Sequence, residues 1–205
     1  MTPRPAPPCR AAQGGFTLIE VLVAIALMAL VSLMAWRGLE QVSQAREWID
    51  AEAQDNDMVV RVLGQLQRDV DQAYEDEQRR AGANAGLPAG LQVLRGNGAA
   101  PLLDIVRAAP DLPGQWQRVV WQVRPDGLWR YAGAAGSRYP LPTPQDGALV
   151  MPQVTALRLR AWVPGSGWAD LPAPLPAAAT GLDVALERRH RDVPQQFNRV
   201  LVLQQ

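Results

Sequence analysis

Three places in this chain hold side chains able to do chemistry. The first is Glu20, a carboxylate near the start of the uninterrupted apolar run Phe16–Ala35, FTLIEVLVAIALMALVSLMA. A charge inside an apolar span costs about 2.5–3.5 kcal/mol, so it needs a compensating reason. The second is a long acidic series comprising Glu47, Asp50, Glu52, Asp55, Asp57, Asp69, Asp71, Glu75, Asp76 and Glu77. Such a cluster could hold calcium, but its spacing matches no EF-hand loop and carboxylates on a helix diverge around the axis. It reads as a solvated helix face. The third is His190 in Arg188-Arg189-His190-Arg191, the single histidine of the chain. A hydrolytic triad would pair it with one of four serines, Ser32, Ser43, Ser137 or Ser166. No G-x-S-x-G elbow surrounds any of them, so His190 reads as a solvated residue of a hairpin turn.

The elements that must carry these residues follow from pattern. Residues 1–15, MTPRPAPPCRAAQGG, hold two arginines, no acid and several prolines, and will not form stable structure. The run that follows has 20 residues, about 30 Å as a helix, which matches a bilayer core. It is longer than a secretory h-region, and no small-x-small cleavage site with a polar start follows it. Arg4 and Arg10 precede the span, which puts the leader on the cytoplasmic side and the rest across the membrane.

No proline interrupts the chain between Pro8 and Pro88. Apolar or small residues recur every seven positions in two rows. One is Val42, Ile49, (Asn56), Leu63 and Val70; the other is Ala45, (Glu52), Val59, Leu66 and Ala73. One helix from Phe16 to about Tyr74 or Gln78 is predicted, its second half burying one face against a globular domain. Beyond Gly90 the period changes to two. Strands are predicted at Leu91–Arg95, Leu102–Ala108, Gln115–Arg124, Leu128–Ala132, Ala148–Met151, Thr155–Val163, Trp168–Leu171, Leu182–Arg188 and Phe197–Leu203. Arg124-Pro125-Asp126-Gly127 is a tight turn, and Glu187–Gln196 connects the last two strands as a polar hairpin. Trp116, Trp121, Trp129, Trp162 and Trp168 could form a carbohydrate platform, but packing in the core and on sheet faces is the better reading.

Composition removes several functions. Acidic and basic residues balance at 20 each, and every basic residue is Arg. Without Arg4 and Arg10 the remainder carries 18 against 20, a slight negative excess that argues against nucleic acid as a partner. Cys9 is the single cysteine, so neither a disulfide nor a cysteine zinc site can form. No cofactor is expected.

Gly14-Gly15-Phe16-Thr17-Leu18-Ile19-Glu20 resembles the type IV prepilin cleavage and methylation motif, a glycine, then Phe-Thr-Leu-x-Glu, then an apolar helix. The resemblance implies that a prepilin peptidase cuts after Gly15 and that Phe16 becomes N-methylated. It gives Glu20 a reason. The cut frees an amine on Phe16, one helical turn away in sequence, and Glu20 could pair with it or with the amine of a neighbour in a staggered array. The whole chain from Phe16 to Leu203 resembles the minor pseudopilin J family of type II secretion systems. Ala35-Trp36-Arg37-Gly38-Leu39, Leu66–Ala73, Gln117–Val123 with the Gly-Leu-Trp-Arg strand, Val154–Arg160 and the final Leu182–Leu203 hairpin carry the likeness.

The resemblance implies an α+β, pilin-like fold, a long N-terminal helix packed on an antiparallel β-sheet domain. Its parts would be a cleaved leader at 1–15, a membrane and assembly helix at 16–36, an amphipathic periplasmic helix at 37–80 and a β-rich periplasmic domain at 81–205. It implies an anchor in the inner membrane and a place at the tip of a pseudopilus. The implied partners are pseudopilins I and K and the major pseudopilin. A minor pilin of a type IV pilus shares the cleavage motif, but many such pilins close a loop with a cysteine pair that this chain lacks. A membrane-anchored periplasmic enzyme is the remaining, weaker reading.

Overall fold

An apolar stretch without proline satisfies its backbone most cheaply as a helix. In the computed structural model, which describes residues 17–74, 85–96 and 100–203, one helix, α1, runs without interruption over Leu18–Asp71. The described chain divides into two compact units, the first ending at Gln54 and the second starting at Asp55.

In the first unit Leu18, Val21, Leu22, Ile25, Met28 and their neighbours are exposed on every side of the helix. An 18-residue window reaches a mean hydropathy of 2.6, and none of that window is buried. A helix apolar all round needs lipid or other helices about it. This one is long and apolar enough to cross a membrane.

In the second unit the helix becomes one-sided. Val59, Val62, Leu63, Leu66 and Val70 are buried, which are the C-terminal members of the two predicted rows together with Val62. The helix ends at Asp71, short of the predicted Tyr74 or Gln78. Competing backbone partners stop it. Ala73 forms a bridge with Arg107, the Tyr74 N–H donates to the Val106 carbonyl at 2.8 Å, and the Ala108 N–H donates to the Gln72 carbonyl at 3.2 Å. The chain leaves the helix as an extended segment beside the sheet. A Cβ at Gly90 would come within 2.3 Å of the Tyr74 carbonyl oxygen, so this approach requires glycine.

All nine predicted strands form. They are β1 (Leu91–Arg95), β2 (Pro101–Ala108), β3 (Trp116–Arg124), β4 (Gly127–Ala132), β5 (Gly147–Pro152), β6 (Val154–Val163), β7 (Gly167–Asp170), β8 (Gly181–His190) and β9 (Val193–Val202). The first five make an antiparallel meander in the order β1-β2-β3-β4-β5. The rest make a second antiparallel sheet in the order β7-β6-β8-β9. The fold is therefore α+β and pilin-like, as the sequence implied. One core joins α1 to both sheets through Leu66, Leu103, Ile105, Trp121, Leu128, Leu157, Leu159, Leu182 and Leu186. The period of two sorts β6 by face: Leu157, Leu159 and Ala161 are buried, while Arg158, Arg160 and Trp162 face out.

The last hairpin forms as read, with a longer ladder than the predicted strands. Glu187 pairs with Gln196 and pairing continues to His190 opposite Val193. The turn shrinks to Arg191-Asp192, both at positive φ, 49° and 63°. Two successive residues of that hand suit the twist of a two-residue hairpin. The polar composition of the segment hid a strand with one solvated face.

Candidate functional site

The site at the helix start rests on simple local chemistry. Thr17 lies just before α1, and its carbonyl accepts from the N–H groups of Glu20 at 3.1 Å and Val21 at 3.3 Å. Glu20 thus stands in the first turn, where unpaired N–H groups favour a negative charge. Its side chain is exposed and surrounded along the helix by Leu18, Ile19, Val21, Leu22 and Val23, all exposed as well. A carboxylate so placed is costly to cover unless it is paired with a cation or protonated. Gly15 and Phe16 lie outside the described residues.

The second constellation holds the domain together. Asp69 is completely buried. Its carboxylate accepts five hydrogen bonds. Arg130 reaches it in a fork, Nε to Oδ2 at 2.8 Å and Nη2 to Oδ1 at 3.0 Å. Trp121 Nε1 donates to Oδ2 at 2.9 Å, Gln65 Nε2 to Oδ1 at 3.0 Å, and Arg107 Nη1 to Oδ1. Burial pushes this carboxyl up, but the hydrogen bonds and charges of Arg130 and Arg107 outweigh it and hold it below the usual range. The donors come from α1, β2, β3 and β4, so one carboxylate fixes the helix on the meander. The reading of Asp69 as part of a solvated acidic face is corrected. It sits between Leu66 and Val70 on the buried side of the helix.

Asp55 also leaves that face. Arg188 Nη2 donates to its Oδ2, and His190 Nδ1 lies 3.9 Å from Oδ1. The Arg188 hydrogen bond, opposed by burial and aided by the Arg188 and Arg191 charges, holds the Asp55 carboxyl below its usual range. Arg188 is itself buried. His190 is half-buried against this pair rather than solvated, because β8 extends further than the sequence suggested and turns the ring toward α1. The tryptophans divide. Trp121 is fully buried, while Trp162 and Trp168, each 40% exposed, meet edge to face at 5.3 Å on the outer side of the second sheet.

A helix apolar on every face, a carboxylate in its first turn and an antiparallel β domain clamped to its C-terminal part define a pilin-like, membrane-anchored subunit. Residues 10–36 match the prokaryotic N-terminal methylation motif. Residues 37–200 match the family described as type II secretion system (T2SS), protein J. That match covers most of the chain, which belongs to the protein J family and is a minor pseudopilin of the type II secretion system. Its working partners are accordingly other pseudopilins and, in general terms, a prepilin peptidase. The type IV pilus reading gives way to this family.

Proposed function

We propose that this pseudopilin stands at the tip of a periplasmic pseudopilus, bound to pseudopilins I and K, and helps to start assembly of the filament on the major pseudopilin. A filament so begun would drive folded proteins across the outer membrane. In this reading residues 1–15 are removed by cleavage after Gly15, Phe16 is N-methylated, residues 16–36 anchor the chain in the inner membrane and the β domain is periplasmic. The role is mechanical and not catalytic, since membership of a structural family supports no reaction. The observation that carries the reading is Glu20, an exposed carboxylate in the first turn of a helix whose N-terminal part is otherwise apolar on all sides.

Glu20→Val tests it. Removing the carboxylate lifts an insertion cost of about 2.5–3.5 kcal/mol, so membrane insertion and cleavage should persist. Assembly should fail, because the amine of Phe16 loses its counter-charge. Capture of pseudopilins I and K by the tagged full chain should drop together with secretion. Normal secretion by the Glu20→Val chain would remove this residue from the mechanism. Failure of the unmodified chain to capture either I or K would sink the tip assignment.

A further inference from the structure

The outer face of the first sheet carries a groove of about 300 Å³ that the assembly role does not use. Its floor is apolar, made by Leu94, Leu102 and Val120 from three adjacent strands. Its walls include Arg118, Arg124 and Tyr131. These three differ in how much of their bonding capacity is spent.

Arg118 is committed. It donates to buried Asp104 three times, Nε to Oδ1 and Oδ2 at 3.0 Å each and Nη2 to Oδ2 at 2.6 Å. The Asp104 charge inside the sheet is cancelled by that fork. Arg124 is not committed. Its guanidinium lies over two rings, 5.5 Å from the centre of Trp129 and 5.2 Å from that of Tyr131. The rings themselves stack at 6.0 Å with a 21° tilt. Gly147 lets this stack form, since a Cβ there would fall 2.3 Å from the Tyr131 ring. Among the described residues no carboxylate pairs with Arg124, and Asp126, next in the turn, accepts from Trp129 Nε1 at 2.7 Å. Tyr131 is nine-tenths buried, and its hydroxyl has no hydrogen-bond partner among the described residues.

A guanidinium steadied by aromatic faces keeps its N–H edge free at little entropic cost. Its fork matches the plane of a carboxylate. A phosphate would bring a second negative charge toward Asp104 and would find one free guanidinium where such groups usually meet several. The apolar floor beside Arg124 suits the aliphatic neighbours of a charged residue in an extended chain, which would lie across the strands. We propose that this groove binds a carboxylate carried on an extended peptide, with Arg124 as the ionic anchor and Leu94, Leu102 and Val120 receiving an adjacent apolar side chain. The carboxylate is that of an acidic side chain within the peptide, because the apolar floor beside Arg124 receives a neighbour of the charged residue.

Calorimetric titration of the full chain in non-ionic detergent tests this. The probes are acetyl-Leu-Glu-Leu-amide, acetyl-Leu-Gln-Leu-amide and acetyl-Ala-Leu with a free C-terminus. The glutamate peptide should bind about tenfold or more tightly than the glutamine peptide, the worth of one charge-assisted fork. Preference for the glutamate peptide supports an acidic side chain; preference for the free-ended peptide would overturn it in favour of a chain terminus. Arg124→Gln should erase the preference, and Arg124→Lys should retain part of it, with circular dichroism unchanged in both. Should Arg124→Gln fail to fold, the lysine variant decides. Equal binding of the glutamate, glutamine and free-ended peptides, a preference that survives Arg124→Gln, or displacement of the peptide by an equal concentration of inorganic phosphate would overturn the proposal.

Discussion

Replacing Asp69 by alanine will destabilise the domain by about 3–5 kcal/mol, the usual cost of removing one partner from a buried ionic cluster. Against a typical total of about 5–15 kcal/mol, that brings the domain close to unfolding. The loss does not come from the missing carboxyl volume, which is small. It comes from what remains. Arg107, 5% exposed, keeps its charge and loses the Asp69 carboxylate that faces it, Arg130 loses both arms of its fork, and the buried Trp121 N–H loses its acceptor. Asp69→Asn should cost less, because the amide oxygen still accepts, but it gives up the charge and turns one acceptor into a donor that faces donors. Denaturation of the chain in urea, followed by far-ultraviolet circular dichroism, measures both. An Asp69→Ala midpoint within error of the unmodified chain would show that the five hydrogen bonds contribute nothing net.

The same cluster sets an acid limit. The Asp69 carboxyl titrates below its usual range in the folded chain, so the folded state binds its proton less readily than the unfolded state. Its contribution is full above the unfolded carboxylate value, about pH 4, and is lost as pH falls through the lower folded value. Asp55 shifts in the same direction and adds to the acid sensitivity.

How far the sequence revealed this depends on the range of each interaction. The span, the amphipathic half of α1 and the nine strands were legible because periodicity is a local property: Leu63, Leu66 and Val70 mark a helix face without reference to anything distant. The helix end was not, since Asp71 is followed by pairing with Val106 and Ala108 that a propensity argument does not contain. The Asp69 cluster joins residues 38, 52 and 61 positions apart. No spacing rule reports such a contact. One local sign was present: Asp69 falls between Leu66 and Val70 on the apolar face, and a carboxylate there needs cations from elsewhere in the fold. The two pairs in the sheets, Asp104 with Arg118 and Asp183 with Arg160, join residues 14 and 23 positions apart on neighbouring strands, and local periodicity does not report them either.

Gly15→Leu is expected to leave little or no processed chain, and the reasoning reaches back to Glu20. On the proposed processing, the peptidase must bring its catalytic groups against the backbone at the Gly15–Phe16 bond. A residue without a Cβ allows that approach, and a branched side chain blocks it. Intact mass would then show the leader retained, with Arg4 and Arg10 still attached and no methyl group on Phe16. The consequence extends beyond cleavage. An uncut chain keeps Phe16 in a peptide bond, so no amine is freed, and Glu20 remains a carboxylate among Leu18, Ile19, Val21 and Leu22 without its cation. Gly15→Leu and Glu20→Val should therefore share a loss of assembly and differ in mass, the first uncut and the second cut. Normal cleavage of Gly15→Leu would break this chain of reasoning at its first step. Assembly by an uncut chain would break it at the second, because Glu20 would then be tolerated without the amine.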